Sequence, residues 1–194
     1  MIETAEADLA RLTGQLAARA ATEGLLDVGY DEVDSPFGRL LACVTLAGVV
    51  RVAFAGEDHD AVLAGLARQV SPRILRSRAR LEPVRRELGE YFDGRRNRFD
   101  VAVDWRLATG FRRAALAAVA AVPYGTTATY AEVARAAGSP KAVRAAGSAC
   151  ATNPVPIVVP CHRVIRSGGG LGGYLGGLEA KRALLELELR GRRA

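Results

Sequence analysis

The sequence predicts an α+β fold: a small mixed unit over residues 35–105, a mostly helical unit over 106–194, and an acidic helical extension over 1–34. Three observations carry this. Short apolar, β-branched stretches alternate with helical runs in the middle segment. Past about residue 106 the chain turns Ala-rich and helical. Charge is also partitioned: net −6 over residues 1–34, +3 over 35–105 and +9 over 106–194, within a total of +6. A basic unit beside a near-neutral one suits a polyanionic partner. On charge alone, a plain solvated basic surface reads equally well.

Residues 1–26 read as an amphipathic helix, with Leu9, Leu12 and Leu16 at helical spacing. Ser35-Pro-Phe-Gly38 reads as a turn. Residues 40–46 and 49–54, apolar and parted by Ala47-Gly48, read as a hairpin. Residues 58–70 put Ala61, Leu63, Leu66 and Val70 on one helical face, and 82–92 read as a helix closed by Asp93-Gly94. Residues 99–103 alternate and read as a strand. Helices are then expected over 111–121, stopped by Pro123-Tyr-Gly125, over 130–137 and over 141–151. Thr129 with Glu132 three residues on makes a capping box for the middle one. The turn at Gly138-Ser-Pro140 gives the last two helix-turn-helix proportions. A loop over 167–177 holds seven glycines, and a final amphipathic helix covers 178–190.

Bulk properties exclude several classes. The 194 residues, 49% hydrophobic and 25% charged, are ordinary for a globular protein. No apolar run is long enough to cross a bilayer, so no membrane partner is expected. The N-terminus carries Glu3, Glu6 and Asp8 rather than a basic start and an apolar stretch, which argues against a signal peptide. Cys43, Cys150 and Cys161 are odd in number and show no zinc spacing. Reduced thiols, no metal and a cytoplasmic location follow as expectations.

One block carries chemistry. Residues 155–160, Val-Pro-Ile-Val-Val-Pro, read as an extended buried run that delivers Cys161-His-Arg-Val164. Thiolate is the nucleophilic form, so His162 as a base and Arg163 as a source of positive potential raise the reactive fraction. Adjacent side chains on an extended backbone point apart, so a bridging water is the natural link between Cys161 and His162. The bland alternative is that Cys161 is a small buried hydrophobe, and Pro-Cys-His alone favours it. His59, in a charged stretch, reads as exposed, and Cys43 and Cys150 read as packing.

The wider setting is distinctive. It contains Asn153-Pro-Val-Pro-Ile-Val-Val-Pro-Cys-His-Arg-Val-Ile165, Gly172-Gly-Tyr174 and Gly176-Gly-Leu-Glu-Ala-Lys181. Upstream stand Pro123-Tyr-Gly-Thr-Thr-Ala-Thr-Tyr130 and Gly138-Ser-Pro-Lys-Ala-Val-Arg-Ala-Ala-Gly147. In order and spacing these blocks resemble the O6-alkylguanine-DNA alkyltransferase family, closely over residues 109–190. A weaker likeness, through Ser35-Pro-Phe-Gly38 and Tyr91-Phe-Asp-Gly94, extends over the N-terminal half.

The resemblance implies DNA repair by direct reversal. The alkyl group of O6-alkylguanine in duplex DNA, with O4-alkylthymine a further candidate, would pass once and irreversibly to Cys161, without a cofactor. It implies a ribonuclease H-like N-terminal unit, a winged-helix-like C-terminal unit, and a monomer working in the nucleoid. The second helix of the helix-turn-helix would enter the minor groove, where the small Ala142, Ala145 and Gly147 allow close approach. Arg144 would fill the space left by the flipped base. Tyr130 would aid phosphate rotation and protonate guanine N3. His162 would be the water-mediated base, oriented by Glu188. Asn153 would tie the helix-turn-helix to the active-site strand. The carbonyls of Cys161 and Val164 would accept from the guanine amine, and Gly172, Gly173, Tyr174, Leu175 and Gly176 would wall the alkyl pocket.

Departures from the family pattern are few. Leu116 stands where many relatives carry tryptophan. Arg112 and Arg113 offer phosphate contacts, and Arg163 is also read as DNA-facing. With only Cys43 and His59 in the N-terminal half, no structural zinc is expected. The acidic helix over 1–26 precedes the usual family start. Three other readings compete. A non-catalytic lesion sensor of the alkyltransferase-like kind would typically lack the acceptor cysteine. A regulator using the helix-turn-helix alone leaves Cys161 and Glu188 unexplained. A cysteine hydrolase would need a base in direct reach of the thiol and an oxyanion hole.

Overall fold

The computed structural model describes residues 2–191, without the side chains of residues 2–7 and 10. Met1 and residues 192–194, assigned above to the first helix and the C-terminal unit, lie outside the described residues. The fold is α+β. A four-stranded sheet in the order β3-β2-β1-β4 is built from β1 (Val28–Val33), β2 (Leu40–Thr45), β3 (Gly48–Ala53) and β4 (Ile74–Arg76). β2 and β3 are the expected hairpin, while β1 pairs antiparallel with β2 and parallel with β4. Sequence reading did not anticipate β1 or β4. β1 carries Asp31 at a buried position, where Arg76 and Arg85 neutralise it at 2.7 and 3.4 Å. β4 has three residues, too few to show a period.

Helix α1 (Ile2–Thr22) corrects one expectation. Leu9, Leu12 and Leu16 are exposed, at 65%, 53% and 56%, so they are not its buried face. Among the described side chains of α1, those near its C-terminal end meet the sheet edge, Ala17 and Ala20 packing with Leu26 and Leu75, and alanines let the helix come close. α2 (His59–Gln69) is capped by Asp58, whose side chain accepts from Ala61 N. α3 (Arg78–Phe92) starts four residues before the expected Glu82 and holds Pro83 inside its length. The strand expected over 99–103 does not form. Only Val103 bridges to Val49, and the amides of Asp100 and Val101 instead donate to the buried Glu87 carboxylate at 2.8 and 3.2 Å.

The C-terminal half comprises α4 (Gly110–Ala120), β5 (Ala128–Thr129), α5 (Tyr130–Ala136), α6 (Val143–Ala151), β6 (Val164–Ile165) and α7 (Gly177–Gly191). The Thr129–Glu132 capping box is present in both directions. α6 begins two residues later than expected, because Ala142 N closes a turn on Ser139 O at 2.9 Å and Ala142 becomes the N-cap. β5 and β6 pair in parallel, setting Ala128 beside Val164 at the foot of the site. The largest core cluster draws on both halves, joining Val52, Phe54, Leu88 and Tyr91 to Leu116, Val133, Ala146, Ile157 and Leu184. Full burial of each large aliphatic side chain is worth about 1.5–3 kcal/mol, so packing contributes strongly to holding the halves together. No described helix is long and apolar enough to cross a membrane.

Candidate active site

Residues 153–163 form a knot rather than the extended run expected. Val159 N donates to Val155 O at 2.9 Å, Cys161 N donates to Val159 O at 2.8 Å, and Cys161–Arg163 is a 3-10 turn. Ile157 sits at φ 73, a left-handed conformation that β-branched residues seldom adopt. The cause is local. Pro154, Pro156 and Pro160 each remove an amide donor, so no strand ladder can be completed. Asn153 supplies the missing order. Buried to 1% exposure, it accepts from Val155 N at 3.0 Å and donates through Nδ2 to Val159 O at 2.8 Å and to Cys161 Sγ at 3.1 Å.

Cys161 is buried, and burial pushes its thiol up to about 11, against the lowering effects of the Asn153 hydrogen bond and the Lys181 charge. At neutral pH it rests as a thiol. His162 is fully buried, and burial lowers its pKa although Glu188 pulls the other way. Its Nε2 lies 2.8 Å from Glu188 Oε1. An ionised carboxylate only accepts, so Nε2 carries the hydrogen and Nδ1 the lone pair. Nδ1 is buried with no protein partner among the described residues. Burial alone would raise Glu188, but hydrogen bonds from His162 and Arg163, with their charges, hold it down at about 2.

Arg163 corrects a further expectation. It is buried, forks onto Glu188 at 2.9–3.1 Å, donates to Val122 O at 2.6 Å and stacks over the Tyr124 ring. It anchors Glu188 and is not the exposed cation expected. Gly125 N adds a bond to Glu188 Oε2 at 3.0 Å, and Tyr91 Oη donates to Oε1 at 2.7 Å. The fully buried Lys181 donates to Val164 O at 2.6 Å and to Leu171 O, stitching β6 to the glycine loop.

The glycine loop leans on both halves. A Cβ at Gly172, whose φ is +70, would lie 2.7 Å from Tyr130 Oη, and one at Gly176 would lie 2.6 Å from the Phe54 ring. Tyr174 sets its ring edge-on to Phe54 at 5.6 Å and to His162 at 6.2 Å, with a buried Oη that has no partner among the described residues. Leu175 packs partly buried beside it. Thus Cys161, His162, Glu188, Asn153, Val164, Tyr130, Gly172 and Tyr174 converge on one place.

The other expected DNA-side residues are on α4 and on α6 with its N-cap. On α6, Arg144 and Ala145 are exposed, and Gly147 and the N-cap Ala142 are partly so. Arg112 differs from expectation: its guanidinium clasps Leu107 O at 3.0 Å and Thr152 O, so it is not a free cation, whereas Arg113 is exposed. His59 is half-buried, with Nε2 3.2 Å from Phe54 O, rather than exposed. Sequence reasoning missed Tyr91 and Lys181 as neighbours of the site, and missed the Asn153–sulfur contact. A single tyrosine or lysine within a helix has no period or spacing to announce it. Their places in Tyr91-Phe-Asp-Gly94 and Gly176-Gly-Leu-Glu-Ala-Lys181 were the only signal.

Comparison with known proteins bears on this geometry. Residues 110–190 match the family model described as 6-O-methylguanine DNA methyltransferase, DNA binding domain. A methylated-DNA–protein-cysteine methyltransferase of Mycobacterium tuberculosis is 40% identical over 168 residues, covering 83% of this chain and 92% of that protein. The chain belongs to the methylated-DNA–protein-cysteine methyltransferase family. Another member, the inducible one of Bacillus subtilis, is 46% identical over 111 residues, covering 57% of this chain and 62% of its own length. Among solved structures, Mycobacterium tuberculosis OGT in complex with DNA superposes with a TM-score of 0.73 at 35% identity, covering 84% of this chain and 94% of that one. The O6-methylguanine-DNA methyltransferase of Pyrococcus kodakaraensis gives 0.58 at 26% identity, covering 83% and 98%. The family resemblance drawn from the sequence therefore holds.

Proposed function

We propose that this family member repairs DNA by moving the alkyl group of O6-alkylguanine, once and irreversibly, onto Cys161. The observation that carries the reading is the buried arrangement around the thiol. Asn153 holds the sulfur, and the Glu188-oriented imidazole of His162 keeps an unoccupied lone pair on Nδ1. The thiol proton passes to Nδ1 through a water, and the thiolate attacks the alkyl carbon in line. The carbon–O6 bond breaks, its electron pair stays with guanine, and Tyr130 delivers a proton toward N3 as the base leaves. The imidazolium then releases its proton and the phenolate regains one by exchange with water, so in net the thiol hydrogen replaces the alkyl group on guanine. The thioether product has no leaving group that the site can expel, so each molecule acts once. No residue in this sequence of steps calls for a cofactor.

Docking follows from α5 and α6, read as a helix-turn-helix within a winged-helix-like unit. Ala142, Ala145 and Gly147 let α6 approach the minor groove, and Arg144 takes the place of the flipped nucleotide. The flipped base enters between the carbonyls of Cys161 and Val164 and the wall of Gly172, Tyr174 and Leu175. Each carbonyl already accepts one bond, from Val164 N and Lys181 Nζ, and keeps a second lone pair for the guanine amine. A relative crystallised in complex with DNA supports DNA as the partner. The division into 1–34, a ribonuclease H-like 35–105 and 106–194, action as a monomer, a cytoplasmic and nucleoid location, and activity on O4-alkylthymine belong to the same proposal. Stoichiometry tests it: with O6-methylguanine duplex in excess, repaired guanine should plateau at one per protein. Continued turnover would indicate a hydrolase, and no repair would indicate a sensor.

A further inference from the structure

One group that touches the Glu188–His162 pair comes from the other half of the chain. α3 carries Tyr91 into the site, fully buried, with its ring held by Phe92, Phe99 and Tyr124 at centroid distances of 5.6, 5.2 and 6.2 Å. Its Oη lies 2.7 Å from Glu188 Oε1 and 3.4 Å from His162 Nε2. Because Nε2 already carries a hydrogen aimed at the same oxygen, the phenol donates to the carboxylate. Oε1 is thus shared by three donors, Tyr91, His162 and Arg163.

We propose that Tyr91 is a positioning residue for alkyl transfer: its hydroxyl fixes the Glu188 carboxylate and sets how tightly that carboxylate holds the His162 proton. The inference rests on the reading of His162 as the base. A carboxylate shared among several donors leaves less negative charge for each one. Removing the Tyr91 donor concentrates that charge on the imidazole and favours imidazolium. His162 then protonates at a higher pH, and less of it is available as a base near neutrality. Burial, then the charge and hydrogen bond of Glu188, hold the phenol well above the usual tyrosine range, so it stays a donor throughout. The other polar groups around the pair are Arg163 and Cys161 on the same turn, Lys181 on α7, Tyr124 after α4, and Tyr174 on the glycine loop. Tyr91→Phe alters none of them and keeps the ring packing. Through this hydroxyl the N-terminal half reaches the Glu188–His162 pair.

The test is the pH dependence of single-turnover transfer from a duplex oligonucleotide bearing one O6-methylguanine. It compares wild type, Tyr91→Phe and His162→Gln. The wild-type rate should fall on the acid side, and His162→Gln should abolish that limb. Tyr91→Phe should move the limb up by about half to one pH unit, with a several-fold slower rate near neutrality and unchanged duplex affinity. Titration of the His162 ring by nitrogen-15 chemical shift in the resting protein should show the same upward move, independent of turnover. If both profiles of Tyr91→Phe overlay the wild type while His162→Gln loses its limb, Tyr91 only packs and the inference is overturned. If His162→Gln keeps the wild-type limb, the base assignment itself fails and takes the inference with it.

Discussion

At the scale of the residue, one carboxylate organises the chemistry. Glu188 accepts from His162, Arg163, Tyr91 and Gly125 N, all within 3.1 Å. Glu188→Gln leaves Arg163 as a buried charge without its partner, so stability should fall by about 3–5 kcal/mol in denaturant titration. Transfer should slow as well, because His162 loses the group that fixes its tautomer. Asn153 is the second key residue. Asn153→Ala leaves Val155 N and Val159 O without their side-chain partners and removes the donor on Cys161 Sγ. A loss of about 1–3 kcal/mol is expected, together with slower alkylation and a higher thiol pKa, measured by thiolate absorbance. The sequence made Cys161, His162 and Glu188 legible through motif and order. It could not show that Arg163 turns inward, because a basic side chain next to a nucleophile looks the same whether it faces DNA or a buried acid.

At the scale of the element, local signals were read well and non-local ones poorly. The Thr129–Glu132 box is encoded within four residues, and Thr129→Ala should cost about 1 kcal/mol of stability. The strand expected over 99–103 failed because the distant Glu87 captures its amides, which no local pattern reveals. The run over 155–160 looked extended because it is apolar and β-branched, yet its prolines and the Asn153 side chain fold it into a knot. The leucine stripe of α1 has helical spacing but finds no partner surface within the described residues. Gly172 is the loop position where replacement is most informative. Alanine there must adopt φ +70 and press on Tyr130 Oη, so Gly172→Ala should cost roughly 1 kcal/mol or more and slow transfer beyond that loss.

At the scale of the whole molecule, charge and burial set the response to salt and pH. Arg113 is exposed and Arg112 is not free, so the two should separate. Arg113→Ala should lower the salt slope of duplex binding by about one unit, whereas Arg112→Ala should lower stability and leave the slope unchanged. For pH, the depressed Glu188, near 2 against 4.5, contributes stability that is present above the unfolded value and lost as pH falls toward 2. His162, depressed below 6.5, acts in the same direction from that point down. Cys161, raised from 9 to about 11, contributes stability that is full below pH 9 and lost as pH rises through 11. Cys43 and Cys150, both pushed up to about 12, extend that alkaline loss. Thermal unfolding should therefore show a plateau between the imidazole and thiol values, falling on both sides. The S-methylated protein should lose less stability at the alkaline end, because its Cys161 no longer titrates.

The most direct measurement is intact-protein mass after incubation with duplex DNA carrying one O6-methylguanine, followed by peptide mapping, with Cys161→Ala alongside. The expected result is a gain of one methyl group, mapped to Cys161, with guanine restored in the DNA and no gain in the variant. Binding without any gain in mass, or a methyl group found on Cys43 or Cys150, would contradict it.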